Sequence, residues 1–194
     1  MQAILLAAGL SKRMGRQKLL LPFGSSTVVE TVIDNIRSAG FAPMLCVFSQ
    51  ETYDFLKDKG SLPVSSAINK EPERGQSSSL LIGLDMLPDG SDFCIMLGDL
   101  PSVTADEISA LAKKFADLPR GKTILAPSRD GRFGHPMFFR SVWKERFKVA
   151  SGDVGGRKII LEHEREIARV ASPDAHFADL DTPDDYKRLL DKGK

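Results

Sequence analysis

A doubly wound α/β fold, with helices on both faces of a mostly parallel sheet, is what this sequence predicts, and three observations carry the prediction. Short apolar runs without polar alternation, such as Ala3 to Ala7 and Phe93 to Leu97, read as strands buried on both faces. Segments of helical period separate these runs, which is the βαβ order that builds a parallel sheet. The 194 residues suffice for one complete core and are few for two, so a single domain over residues 1–194 is expected.

In chain order, the first strand is Ala3 to Ala7 and the first helix Thr27 to Ser38, where Val28, Val29, Val32, Ile33 and Ile36 share one face. Gly40 suits the left-handed position just past that helix. A strand at Met44 to Phe48, a helix at Glu51 to Lys57 and a strand at Pro63 to Ala67 follow. Leu80, Leu81, Leu84 and Leu87 give helical spacing to Ser77 to Leu87, ahead of the strand Phe93 to Leu97. Thr104, with Glu107 three residues on, predicts a capping box for a helix through Phe115. Thr123 to Ala126 is the next strand, and a turn at Gly131 leads to an extended segment holding Phe133 and Met137 to Phe139. Helices are expected at Ser141 to Val149 and Asp153 to Glu162, a strand at Ile167 to Val170, an extended piece at Phe177 to Leu180 and a helix from Pro183.

Composition excludes several classes of function. Acidic and basic residues nearly balance at a net charge of +1, so no electrostatic footprint for nucleic acid or an anionic membrane stands out. No apolar run is long enough to span a bilayer. Lys12 and Arg13 follow the N-terminal apolar stretch instead of preceding it, the reverse of a secretory signal, and a cytoplasmic protein is expected. Cys46 and Cys94 lie in apolar runs and read as reduced, buried thiols.

Folds of this class bind ligands beyond the carboxyl ends of their strands. There the sequence reads Leu6-Ala7-Ala8-Gly9-Leu10-Ser11-Lys12-Arg13-Met14-Gly15-Arg16-Gln17-Lys18. Small residues let backbone amides approach a phosphate chain, and Arg13 and Lys18 supply charge to neutralise it. The spacing is neither that of a Walker loop nor that of the dinucleotide fingerprint. On composition alone, an ordinary strand-to-helix turn with solvated cations also fits.

Carboxylates occur at two further such places. Asp99 follows the strand Phe93 to Leu97, and Asp179 and Asp181 share one face of the expected extended segment. Two separated carboxylates suit a triphosphate-bound Mg²⁺, a hard cation that takes oxygen ligands. Each also has a plainer role: Asp99 as a turn residue before Leu100-Pro101, and Asp181 or Thr182 as the cap of the last helix. Asn69, Gly75 and Ser77 to Ser79 precede a helix and offer donors to a nucleotide, or simply cap it. His135 and Pro136 stand in Gly134-His135-Pro136-Met137, and Asp153 and Arg157 in Gly152-Asp153-Val154-Gly155-Gly156-Arg157. His163 and His176 share no metal-ligand spacing and read as structural.

Taken together, Ala7-Ala8-Gly9-x-Ser11-x-Arg13-Met14-Gly15 with Lys18, Leu97-Gly98-Asp99-x-Pro101, and Asp179-x-Asp181-Thr182-Pro183-x-Asp185-Tyr186 resemble the motifs of the nucleotidyltransferase superfamily. Gly134-His135-Pro136 and Gly152-Asp153-x-Gly155-x-Arg157 resemble those of its molybdenum cofactor cytidylyltransferase branch, which is related to the guanylyltransferases. The matches keep their order from Leu6 to Tyr186. The resemblance implies a Rossmann-like fold in which Leu6, Ala7, Ala8, Gly9, Arg13, Lys18, Asn69, Gly75 and Ser79 bind the nucleotide. It implies Lys18, Arg13 and Asp99 as catalytic, Asp99 and Asp181 as Mg²⁺ ligands, and His135, Pro136, Asp153 and Arg157 as acceptor-binding. Guanylyl-transferring members carry Gly-Gly where this chain has Ala8-Gly9, and the Ala8 methyl is expected to narrow the base site toward cytosine. The implied reaction moves CMP from CTP to the terminal phosphate of molybdopterin cofactor, with a molybdenum hydroxylase as a further partner. Three alternatives stand beside it: transfer to a sugar or methylerythritol phosphate, a non-catalytic cofactor carrier, and a nucleotide-binding regulator.

Overall fold

The computed structural model describes residues 1–149 and 156–192. Its first strand, β1 (Gln2–Ala7), lies near the middle of an eight-stranded sheet. A two-stranded hairpin of β2 (Pro22–Phe23) and β3 (Ser26–Thr27) then leads into α1 (Val28–Ser38). There follow β4 (Leu45–Phe48), α2 (Gln50–Asp58), β5 (Ser65–Ile68), α3 (Gln76–Met86) and β6 (Phe93–Leu97). After α4 (Ala105–Ala116) come β7 (Ile124–Arg129), β8 (Arg132–Phe133), β9 (Met137–Phe139) and α5 (Trp143–Val149). The chain continues through α6 (Gly156–Glu162), β10 (Ile167–Ala171) and α7 (Pro183–Lys192).

The strand order is β10-β7-β9-β6-β1-β4-β5, with β8 paired to β7. β6, β1, β4 and β5 run parallel, as do β7 and β10, while β9 runs antiparallel between β6 and β7 and the short β8 runs antiparallel to β7. The chain winds from β1 outward to β5 and then returns to the other side of β1 as β6. The topological switch point, where such sheets open a crevice, therefore lies at the carboxyl end of β1.

Period-two alternation along β1 divides the core into two layers. Ala3, Leu5 and Ala7 pack with Val28, Val32 and Ile36 of α1 and with Ile108 and Phe115 of α4. Ile4 and Leu6 pack on the other face with Leu80 and Leu84 of α3, Phe147 of α5 and Ile160 of α6. Each layer is closed by rings, Phe115 against Phe138 on one side and Phe139 against Phe93 and Trp143 on the other.

Local signals set the helix ends. The predicted capping box of Thr104 and Glu107 forms, and Thr27 with Glu30 makes another at α1. Gly40 takes φ +92°, as expected of the residue past α1. Asp130 and Gly131, at φ 48° and 75°, make the tight turn between β7 and β8.

The structure corrects several expected boundaries. The strand predicted at Pro63 to Ala67 forms at Ser65–Ile68, because Pro63 has no amide hydrogen to donate to the ladder. Phe177 to Leu180 is not extended: Phe177 ends a single helical turn, Asp174–Phe177, and Ala178 to Leu180 is irregular. The helix predicted from Asp153 is described from Gly156, since Asp153 lies outside the described residues. Among the described residues, no helix is long and apolar enough to cross a membrane.

Candidate functional site at the carboxyl end of β1

Backbone bonds first bring the strand exits together. The Gly98 amide donates to the Leu6 carbonyl at 2.9 Å and the Ser49 amide to that of Ala7 at 3.4 Å. A Cβ on Gly98 would sit 2.9 Å from the Ala7 Cβ and 3.3 Å from its Cα. Only glycine lets the β6 exit pass this close to β1, and Asp99 follows it immediately.

The loop after β1 is held by its own side chains. Ser11, at φ 51°, donates through Oγ to Gln17 Oε1 at 2.7 Å and accepts from the Lys18 amide at 3.1 Å. Gln17 Nε2 donates to the Gly9 carbonyl at 3.2 Å, and buried Met14 and Leu19 anchor the loop to the core. Both ends of the loop are thus fixed and the Lys18 side chain has a defined origin. Gln17 was not among the residues singled out from sequence, since nothing but the closed loop identifies it.

Lys18 Nζ donates to Asp99 Oδ2 at 2.5 Å and to Asp181 Oδ1 at 3.2 Å. Burial opposes the lysine charge, but the Asp99 carboxylate, and then Asp181, outweigh it and hold the pKa above the ordinary lysine value. Arg13, largely exposed, reaches Asp181 Oδ2 at 2.7 Å. The choice between Asp181 and Thr182 as helix cap falls to Thr182, whose Oγ1 accepts from the Asp185 amide at 3.2 Å. The Asp181 carboxylate therefore faces the two cations. Asp179 lies near the same group, and burial of its carboxyl, followed by the charges of Asp99 and Asp181, pushes its pKa up to about 6.

Two adjoining cavities open beside this cluster, Lys18 and Asp99 lining the first and Asp179 the second. One, of about 250 Å³, is lined by Leu6, Ala7, Ala8, Gly9, Lys18, Gly75, Ser79 and Asp99. Asn69 stands behind this wall, with its amide spent inside the protein. It donates to Ser78 and Ser79 Oγ at 2.8 and 2.9 Å and accepts from the Glu71 amide at 2.9 Å. Asn69 thus positions Ser79, where the sequence suggested that it touches the ligand.

The second cavity, of about 450 Å³, shares Leu6, Gln76 and Leu97 with the first. His135, Arg157, Arg132, Asp179 and the rings of Phe133, Phe147 and Phe177 line it. His135 Nδ1 donates to the Ile95 carbonyl at 3.1 Å. Burial holds its pKa below the ordinary histidine value, only partly offset by that bond and by Asp99. The ring is neutral near pH 7, with Nε2 left as an acceptor. Pro136 is buried and does not line the cavity. Arg132, Phe133 and Phe177 escaped the sequence reading because they come from a two-residue strand and an irregular segment. His163 donates to the Ile159 carbonyl at 3.0 Å and packs edge-on against Trp143, a structural role as expected.

The chain matches the MobA-like NTP transferase domain over residues 3–167 and belongs to that family. It is 26% identical to the purine catabolism protein PucB of Bacillus subtilis strain 168, over 94% of this chain and 92% of that protein. It is 24% identical to the molybdenum cofactor cytidylyltransferase of Escherichia coli K12, over the same shares of each. It spans 24% of the length of the bifunctional GlmU protein of Buchnera aphidicola, to which it is 27% identical. Among solved structures, Rv0371c of Mycobacterium tuberculosis H37Rv superposes with a TM-score of 0.81 at 27% identity, covering 98% of this chain and 96% of that one. A further structure of that mycobacterial protein, a complex with manganese, superposes at 0.75 and 24% identity, over 98% and 97% of the two chains. The protein is a nucleotidyltransferase, built on the mostly parallel sheet that its sequence predicts.

Proposed function

We propose that this member of the MobA-like family transfers CMP from CTP to the terminal phosphate of molybdopterin cofactor, forming the cytosine dinucleotide and releasing pyrophosphate. The observation that carries the reading is a pair of cavities that adjoin at Leu6, Gln76 and Leu97, the first lined by Lys18 and Asp99 of the charged cluster and the second by Asp179 beside it. Loop backbone and small side chains line one, as a nucleotide requires. The other is walled by phenylalanines with arginines among them, which suits a planar ring system carrying a phosphate. His135, a neutral acceptor, suits a ring N–H better than a phosphate oxygen. A small polyol phosphate would leave those rings without contacts. The likeness to the Escherichia coli cytidylyltransferase supports both nucleotide and acceptor.

In the proposed step an acceptor phosphate oxygen forms a bond to the α-phosphorus of CTP while the bond from that phosphorus to the bridging oxygen breaks. The phosphate monoester is already ionised near neutral pH, so no side chain has to remove a proton. Lys18 and Arg13 neutralise charge on the triphosphate, and the loop amides from Ala8 to Gly9 hold it in line. Asp99 and Asp181 fit a divalent cation by their chemistry: both are hard oxygen donors, and a single ammonium group already spans them. When bound, Mg²⁺ supplies Lewis-acid stabilisation of charge on the phosphates. The Ala8 methyl, lining the first cavity, favours the smaller pyrimidine. Transfer of the product to a molybdenum hydroxylase is the partner step this reading implies.

The test is to incubate the protein with each of the four nucleoside triphosphates, Mg²⁺ and a set of phosphorylated acceptors, following pyrophosphate and identifying products by mass. Molybdopterin cytosine dinucleotide is the expected product. A guanosine product would overturn the base assignment, and a product with a sugar or methylerythritol phosphate alone would overturn the acceptor.

A further inference from the structure

The two carboxylates of the cluster arrive on segments that have no strand pairing with one another. Asp99 leaves the end of β6, whereas Asp181 lies in the irregular stretch between β10 and α7. Lys18 bridges the carboxylates themselves, and hydrogen bonds around two histidines tie together the segments that carry them. The His135 amide donates to the His176 carbonyl at 3.0 Å, and His176 Nδ1 lies 2.7 Å from the His135 carbonyl. A carbonyl only accepts, so Nδ1 carries the hydrogen and the two residues are joined reciprocally. His135 Nδ1 in turn donates to the carbonyl of Ile95, four residues before Asp99. His176 is five residues before Asp181, and it is 2% exposed. Its Nε2 stands 4.0 Å from Glu107 Oε1, too far for a hydrogen bond. The packing is close as well: a Cβ on Gly134 would lie 2.4 Å from the His176 carbonyl oxygen.

We infer that His176 is a positioning residue for the metal site: through its Nδ1–H bond to the His135 carbonyl it sets the Asp181 segment at the distance from β6 at which Asp99 and Asp181 hold one divalent cation. The inference rests on the reading of Asp99 and Asp181 as ligands. It gives a buried histidine in the wall of the second cavity a specific role, and it ties acceptor-side and metal-side residues into one hydrogen-bonded unit. Groups that orient metal ligands without touching the metal alter metal affinity by about 10–100-fold when lost.

Asparagine can place an N–H where Nδ1 stands, whereas glutamine places its amide nearer Nε2. Mn²⁺ binding by calorimetry, alone and with the triphosphate that the wild type binds, should therefore weaken about 10-fold in His176→Gln and stay within about 3-fold of wild type in His176→Asn. The KM for the nucleotide should change less than twofold in both, while kcat at fixed Mg²⁺ falls in the glutamine variant alone. Equal loss in the two variants would assign His176 to packing and overturn the inference, as would unchanged Mn²⁺ binding in His176→Gln. Should His176→Gln fail to fold, the asparagine variant decides by itself: folded, Mn²⁺-binding protein supports the inference, and a folded variant that has lost the metal, or no folded protein, overturns it. Asp99→Asn is the control for the underlying reading. Wild-type Mn²⁺ binding that survives Asp99→Asn shows that the metal lies elsewhere, a failure distinct from that of the histidine pair.

Discussion

The two halves of the candidate site are made in different ways. The proposed nucleotide side is built chiefly on one continuous loop, Ala7 to Lys18, fastened by Ser11 and Gln17 within itself. The proposed acceptor side is assembled from the turn before β9, the start of α6 and the segment after β10, the first and last of which are joined by reciprocal hydrogen bonds. A local loop can be altered at one residue with local effect. An assembled wall transmits a change at one segment to the others. This contrast predicts that damage on the first side abolishes chemistry with the fold intact, whereas damage on the second disturbs acceptor binding and stability together.

The largest expected effect lies at the charged cluster. Lys18→Ala and Asp99→Ala should each lower kcat by about 10²–10³-fold, read as pyrophosphate release, with circular dichroism unchanged. Near-normal turnover in either folded variant would remove that residue from the catalytic set. Next comes Gly134→Ala, where the added methyl meets the His176 carbonyl. It should cost about 1–3 kcal/mol of stability and raise the KM for the acceptor more than that for the nucleotide. An equal rise in both would mean that the halves are not separable.

A stability test probes the support of the nucleotide side. Burial disfavours the Glu30 carboxylate, but hydrogen bonds from Lys59, Thr27, Ser26 and Ser61 outweigh it and bring its pKa down to about 2. The folded value is below the unfolded one, so this stabilisation is present above about pH 4.5 and is lost as pH falls through about 2. Glu30→Gln should lower Tm by several degrees at pH 7, a loss of about 1–2 kcal/mol, and by progressively less below pH 4.5. The smallest effect is expected at Asp179. Its folded pKa of about 6 is above the ordinary carboxylate value, so its contribution is full below about pH 4 and is lost as pH rises through 6. In chelator, Asp179→Asn should raise Tm by about 1–3 °C at pH 8 and by nothing at pH 4. A constant gain across that range would show that charge is not the cause.

Sequence legibility follows the same division. The strands and α1, α3 and α4 were readable because each buries a periodic face, and Thr104 with Glu107 announced its own cap. The loop from Leu6 to Lys18 was readable because its chemistry is contiguous. Asp99 could be found through the apolar strand that ends before it. Arg132, Phe133 and Phe177 could not, since short and irregular segments carry no period, and their meeting depends on tertiary pairing. The position of Asn69 was legible, whereas its bonds to Ser78, Ser79 and Glu71 were not, since they depend on how the loop folds back on α3. His176 looked like any buried histidine because its partner is a backbone carbonyl 41 residues away.

The reversed direction of β9 has a consequence for how such a protein can change. A parallel strand offers the crevice only the loop that leaves it, but β9 offers the loop that enters it, between the β7–β8 hairpin and Met137. That loop is anchored to the sheet on both sides, so its tip can lengthen or shorten without shifting the register of β1 against β6. On the proposed reading, acceptor choice and nucleotide choice fall on separate stretches of chain, free to be exchanged one at a time.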